Sequence, residues 1–184
     1  MESIFNVRVY PYTFDNHKTV WFEETPWGSI TPLPPQETAA NDNAPSSTFL
    51  KLLQIYQENV EKIRKKYGET LGDLIELDFR GLGLTQLPPH ILLECKKARS
   101  LDISGNDIHF LPVQLQALPL VSLNISGNTR LQPNIPEWLG GMPGLVLTAH
   151  DMELTFIPEG FTQERVISND LPKGISFGQT QQLM

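Results

Sequence analysis

The stretch Leu74-Ile75-Glu76-Leu77-Asp78-Phe79-Arg80-Gly81-Leu82-Gly83-Leu84-Thr85-Gln86-Leu87-Pro88 decides the fold, because its spacing recurs. Apolar residues stand at Leu74, Leu77, Phe79, Leu82, Leu84 and Leu87, followed by Pro88. The next copy reads Ala98, Leu101, Ile103, Asn106, Ile108, Leu111 and Pro112. A third begins Leu120, Leu123, Ile125, Asn128 and takes a small insertion through Leu131 before Ile135 and Pro136. A fourth is degraded but in phase: Gly144, Leu147, Ala149, Met152, Leu154, Ile157, Pro158. From Leu77 to Leu101 to Leu123 to Leu147 the copies step by 24, 22 and 24 residues. A constant period of this length marks an array in which each copy is one structural unit.

Alternation of the Leu-x-Leu type makes a short strand with one face inward, and the Asn that follows is suited to satisfy backbone groups in the turn that ends it. One such coil cannot bury its own apolar side, so several must stack and both ends must be covered. Residues 47–68 carry a helical period instead, with Phe49, Leu52, Leu53, Tyr56, Val60, Ile63 and Tyr67 on one face. Ser46, Ser47 or Thr48 serves as the N-terminal cap and Gly68 as the left-handed stop. The cluster Lys62, Arg64, Lys65 and Lys66 matches the carbonyl end of the helix dipole. This amphipathic helix is placed to cover the N-terminal end of the stack.

The spacing resembles the leucine-rich-repeat pattern LxxLxLxxNxL followed by an LPxxL-like segment, over about half the chain, from Leu71 to about Gly160. The resemblance implies an α/β fold: a short leucine-rich-repeat solenoid of about four repeats, parallel strands on its concave face, and an N-terminal capping helix. Leu82 and Met152 replace the turn Asn in the outer copies, as terminal repeats are often atypical. The expected organisation is a Pro- and Asn-rich extension at 1–46, the helix at 47–68, repeats at 69–160, and a C-terminal cap and flexible tail at 161–184. Within the extension, Phe5, Val7 and Val9 alternate with polar neighbours and Thr19-Val20-Trp21-Phe22 follows, a pattern that pairs as a weak hairpin or stays disordered.

Residues flanking the buried leucines point outward and line the open side of the strands. They form three rows: Glu76, Ser100, Ser122 and Val146; Asp78, Asp102, Asn124 and Thr148; Arg80, Ser104, Ser126 and His150. These rows, Val146 apart, are the expected partner-binding residues, with Arg80 and His150 as anchors at the edges. A polar, mildly acidic surface of this kind suits a protein carrying basic or hydrogen-bonding groups. Trp138, in Ile135-Pro136-Glu137-Trp138-Leu139-Gly140, is expected to pack on a neighbouring coil.

A net charge of −7 argues against nucleic acid or an anionic membrane as the main partner. No apolar run is long enough to span a bilayer, and the first residues lack the basic start and apolar stretch of a general secretory signal. The single cysteine, Cys95, allows no internal disulfide and reads as a core thiol. The sequon Asn124-Ile125-Ser126 carries little weight in such a chain. His17, His90, His109 and His150 are scattered, without metal spacing, and no phosphate loop or nucleophile elbow is present. Asp78 and Asp102, at equivalent positions of neighbouring strands, are the one carboxylate pair in which proximity could raise a pKa for acid–base work. A non-enzymatic monomer without cofactors or metals is the expectation.

The first repeat, preceded by a helix and a Pro-rich arm, also resembles secreted leucine-rich-repeat effectors of Gram-negative bacteria. Some of those carry a ubiquitin-ligase domain with a Cys-x-Asp nucleophile; here Cys95 is followed by Lys96-Lys97. The resemblance implies an effector-like binding module without ligase activity, cytoplasmic or exported into a host cell without a general secretory signal. An intracellular scaffold or adaptor, or a relic of a larger repeat protein, is the competing expectation.

Overall fold

The computed structural model describes the backbone of residues 8–13, 19–24, 30–33, 47–131, 135–175 and 177, and the side chains from residue 50 onward among them. The chain divides into two compact units, Met1–Glu58 and Asn59–Met184.

In the first unit, strands β1 (Arg8–Thr13), β2 (Thr19–Glu24) and β3 (Ile30–Leu33) form an antiparallel sheet in the order β1-β2-β3. The hairpin between β1 and β2 matches the alternation seen in the sequence, although Phe5 and Val7 lie outside the described residues. Strand β3 falls on the Thr31-Pro32-Leu33 segment that composition marks as linker. Proline lacks the amide a central strand needs, and here Pro11 and Pro32 stand in the two edge strands, where that donor is dispensable.

Helix α1 runs from Ser47 to Tyr67. It stops where Gly68 takes a left-handed φ of 57° and donates its amide to the Arg64 carbonyl at 2.7 Å. Of the expected caps Ser46, Ser47 and Thr48, the first lies outside the described residues and the other two fall within the helix.

The second unit is built on a five-stranded, all-parallel sheet: β4 (Glu76–Asp78), β5 (Ser100–Asp102), β6 (Ser122–Asn124), β7 (Val146–Thr148) and β8 (Val166–Ile167), in sequence order. The register aligns Leu77, Leu101, Leu123, Leu147 and Val166 in one column. All five are buried, as are Phe79, Ile103, Ile125 and Ala149 beside them. Burial of such side chains at about 1.5–3 kcal/mol each is the main force joining the coils. Sequence periodicity pointed to four of these strands; the fifth, β8, lies only 19 residues beyond the fourth and has no leucine or proline signature.

Each return segment starts at a proline. Pro88, Pro112 and Pro136, with φ between −66° and −73°, precede helix α2 (Pro89–Glu94) and single helical turns at Val113–Ala117 and Glu137–Gly141. A proline here fixes φ and gives up an amide that a helix start leaves unpaired anyway. Trp138, on the third of these turns, is half-buried. Beneath the first return, Cys95 is fully buried and donates its thiol to the Ile91 carbonyl at 3.2 Å. Burial pushes its pKa up to about 12, aided by the Glu94 carboxylate. Thiol reagents should therefore label Cys95 only as fast as the unit unfolds. Rapid stoichiometric labelling of the native protein by a disulfide reagent would contradict its placement in the core.

No helix among the described residues is long and apolar enough to cross a membrane.

Candidate functional site: the open face of the parallel sheet

The strand register aligns two of the three outward rows expected from the sequence, and main-chain bonds from Gly81 to Ser104, Gly105 to Ser126 and Gly127 to His150 join the turns that carry the third. Glu76 pairs with Ser100, Ser100 with Ser122, and Ser122 with Val146; Asp78, Asp102, Asn124, Thr148 and Ile167 make the next row. These residues are half-buried or exposed while their immediate neighbours in the strands are buried. The face is thus a consequence of the two-residue strand period.

Hydrogen bonds fix the middle and third rows. Asp78 binds Arg80 in bidentate fashion, Oδ1 to Nε at 2.9 Å and Oδ2 to Nη2 at 3.1 Å, and also accepts the Arg80 amide at 3.1 Å. Lys66 Nζ stands 3.3 Å from Asp78 Oδ2. In the next strand Asp102 accepts the Ser104 amide and hydroxyl at 2.9 and 2.6 Å, and the Asn124 amide nitrogen at 3.0 Å. Asn124 repeats the motif with Ser126, and the Ser126 hydroxyl accepts the His150 backbone amide at 2.9 Å. Arg80 Nε, 3.8 Å from Asp102 Oδ2, links the first two steps. A polar chain therefore crosses four strands, from Lys66 to His150.

That geometry bears on the acid–base chemistry that was open to Asp78. Proximity to Asp102 could have raised its pKa, yet the Arg80 guanidinium beside Asp78, with the Arg80 amide and Lys66, holds its carboxyl well below the usual range. Arg80 is raised in turn by the same partner. Asp78 is anionic throughout the neutral range and so is a poor proton donor there. Arg80, an expected anchor, is exposed but already committed to Asp78. His150, the other, has a half-buried ring whose Nδ1 makes no hydrogen bond among the described residues. The sequon Asn124 donates its side-chain nitrogen to Asp102 from within a strand.

Two sets of contacts that the sequence did not reveal hold the face in place. The first is made by the end of α1. Tyr67 Oη accepts the Asp78 amide at 3.0 Å and donates to the Asp78 carbonyl at 2.8 Å, so the open edge of β4 is covered by a side chain. Lys66 donates to the same carbonyl. The basic cluster read as dipole-matched is thus also a set of ties: Lys62 to the Gly83 carbonyl at 2.7 Å and Arg64 to the Glu94 carboxylate at 2.7 and 2.8 Å.

The second is a ladder of buried carboxamides. Asn106 donates to the Ile103 carbonyl in its own coil at 2.8 Å and to Phe79 in the preceding one at 2.9 Å, and it accepts the Leu84 amide at 2.9 Å. Asn128 does the same one coil later with Ile125, Ile103 and Ile108. Asn59, on the buried side of α1, accepts the Thr85 amide at 2.9 Å and donates to its hydroxyl at 3.1 Å. The turn asparagines therefore staple coil to coil, beyond the single turn they were expected to complete.

Where Leu82 and Met152 replace Asn, the turn changes form. Gly105 and Gly127 supply one left-handed residue before their Asn, whereas Gly81 and Gly83 flank Leu82 with two, and Asp151 and Glu153 flank Met152 with φ of 54° and 50°. A left-handed L-residue costs about 1–2 kcal/mol. The Asp170 carboxylate offsets part of this by accepting the Met152 and Glu153 amides at 2.9 and 2.7 Å, and Asn169 exchanges hydrogen bonds with Asp151. Ser168 and these amides lower the Asp170 pKa. Glu153→Gly should accordingly raise stability by about 1 kcal/mol in urea unfolding. A loss of that size would show that the strained turn is held by the Glu153 side chain itself.

No protein-family model matches the chain, and no solved structure matches it.

Proposed function

We propose that the chain is a short leucine-rich-repeat module that binds another protein through the open face of its parallel sheet and carries out no reaction itself. The observation that carries this reading is the row structure of that face: polar side chains in register across neighbouring strands, with their rotamers fixed by the chain from Lys66 to His150. Side chains held before binding lose little conformational entropy when a partner arrives, which favours recognition. The strand spacing of 24, 22 and 24 residues and the carboxamide staples between coils support the repeat assignment. Resemblance of the first coil to secreted bacterial effectors extends the proposal to a partner met inside a host cell.

The test compares native protein with the variant Glu76→Lys, Ser100→Lys, Ser122→Lys as bait in affinity capture with mass spectrometry. The side chains of this row make no hydrogen bond among the described residues, so their replacement leaves the polar chain intact, which matching circular dichroism would verify. A partner retained by the native protein and released by the variant is the expected result. Equal capture by both would remove the sheet face from the account.

A further inference from the structure

The open face is polarised along the stack. At the β4 end Glu76 is exposed and makes no ion pair among the described residues, while Asp78 is already neutralised by Arg80 and Lys66. At the other end the same rows carry Val146, half-buried, and Ile167, 49 % exposed. Ser100 and Ser122 separate the two ends in the outer row. Within these rows one end thus offers a carboxylate without an ion pair among the described residues, and the other offers two aliphatic side chains, one half-buried and one exposed.

We propose that this face takes an extended polypeptide segment lying across the strands, with a cationic side chain at Glu76 and an aliphatic or aromatic one at Val146 and Ile167. The inference rests on the binding reading above and adds the chemistry of the partner. Charge complementarity selects a cation, since the chain carries a net charge of −7 and Glu76 has no counterion among the described residues. The geometry sets the separation. Neighbouring strands lie about 4.8 Å apart, so three to four strand steps from Glu76 span about 14–19 Å, which an extended chain rising about 3.3 Å per residue covers in about four to six residues.

The test uses fluorescence anisotropy with short peptides of alternating Thr and Ser that carry one Lys and one Leu, separated by about two, five or eight residues. A second set carries Glu in place of Lys. The expected result is tightest binding at the middle separation, weakening with added salt as an exposed ion pair must. Glu76→Lys should weaken the Lys peptide by about tenfold and gain affinity for the Glu peptide, a charge swap that misfolding could not produce. Val146→Ser with Ile167→Ser should weaken the Lys–Leu peptide by about tenfold. Binding that ignores the separation, equal binding of Lys and Glu peptides, or no binding of either set would overturn the proposal. In those cases a captured protein still released by the triple-lysine variant would leave the binding face standing and remove only the polarity assigned to it.

Discussion

Gly140→Ala is expected to lower the stability of the second unit by about 3 kcal/mol or more, as overpacking against a fixed backbone does. A Cβ on Gly140 would stand 1.7 Å from the Glu159 carbonyl oxygen and 2.8 Å from its carbon, both main-chain atoms that no rotamer can move aside. The approach is mutual, since a Cβ on Gly160 would meet the Gly140 oxygen at 2.6 Å. At this point the third and fourth return segments lie backbone on backbone. Widening that contact would pull the fourth coil from the third and separate Arg165, which donates to the Met142, Leu145 and Gly160 carbonyls at 2.9, 2.8 and 3.1 Å. Gly141→Ala is the control, because a Cβ there meets nothing within 4 Å. Urea unfolding of the two variants should separate them widely. Equal stabilities would mean that the last coils do not pack as described.

Asn128→Ala should cost about 3 kcal/mol, because the fully buried carboxamide satisfies three main-chain groups in two coils. Asn128→Asp is the sharper test. It keeps the shape but turns a donor toward the Ile103 and Ile125 carbonyls into an acceptor, and buries a charge beside them. The folded state then favours the protonated acid, so its pKa lies above the unfolded value. Stability should be fullest below the ordinary carboxylate range and fall as pH rises through the folded pKa. Urea midpoints measured across that range would show the slope. A variant as stable at neutral pH as the native protein would mean that Asn128 donates to neither carbonyl.

The strands β4 to β7 and the end of α1 were legible in the sequence because their signals are local: Leu77, Leu101, Leu123 and Leu147 recur at a near-constant step, and Gly68 marks a left-handed stop. The rows of the open face followed from the strand period alone. Strand β8 was not legible, since Val166 and Ile167 form a strand by pairing with Leu147 and Thr148 and carry no repeat signature of their own. Asn59 and Tyr67 also gave no sign of their roles, because both act on residues far along the chain, Thr85 and Asp78. The Asp78 and Asp102 positions were legible, but not the chemistry of Asp78, which Arg80 decides by folding back over two residues from the turn after β4. Gly140 looked like one letter of a repeat motif, and its necessity comes from a neighbour 19 residues later.

Carboxylate footprinting of the complex with the captured partner tests the binding claim most directly. With carbodiimide labelling read by mass spectrometry, Glu76 and Asp102 on the open face should lose reactivity when the partner binds. Asp107, Glu137 and Glu159, on the turns and return segments, should keep theirs. Protection of the return-segment carboxylates with Glu76 and Asp102 unchanged would contradict the account and move the interface to the opposite side of the coils.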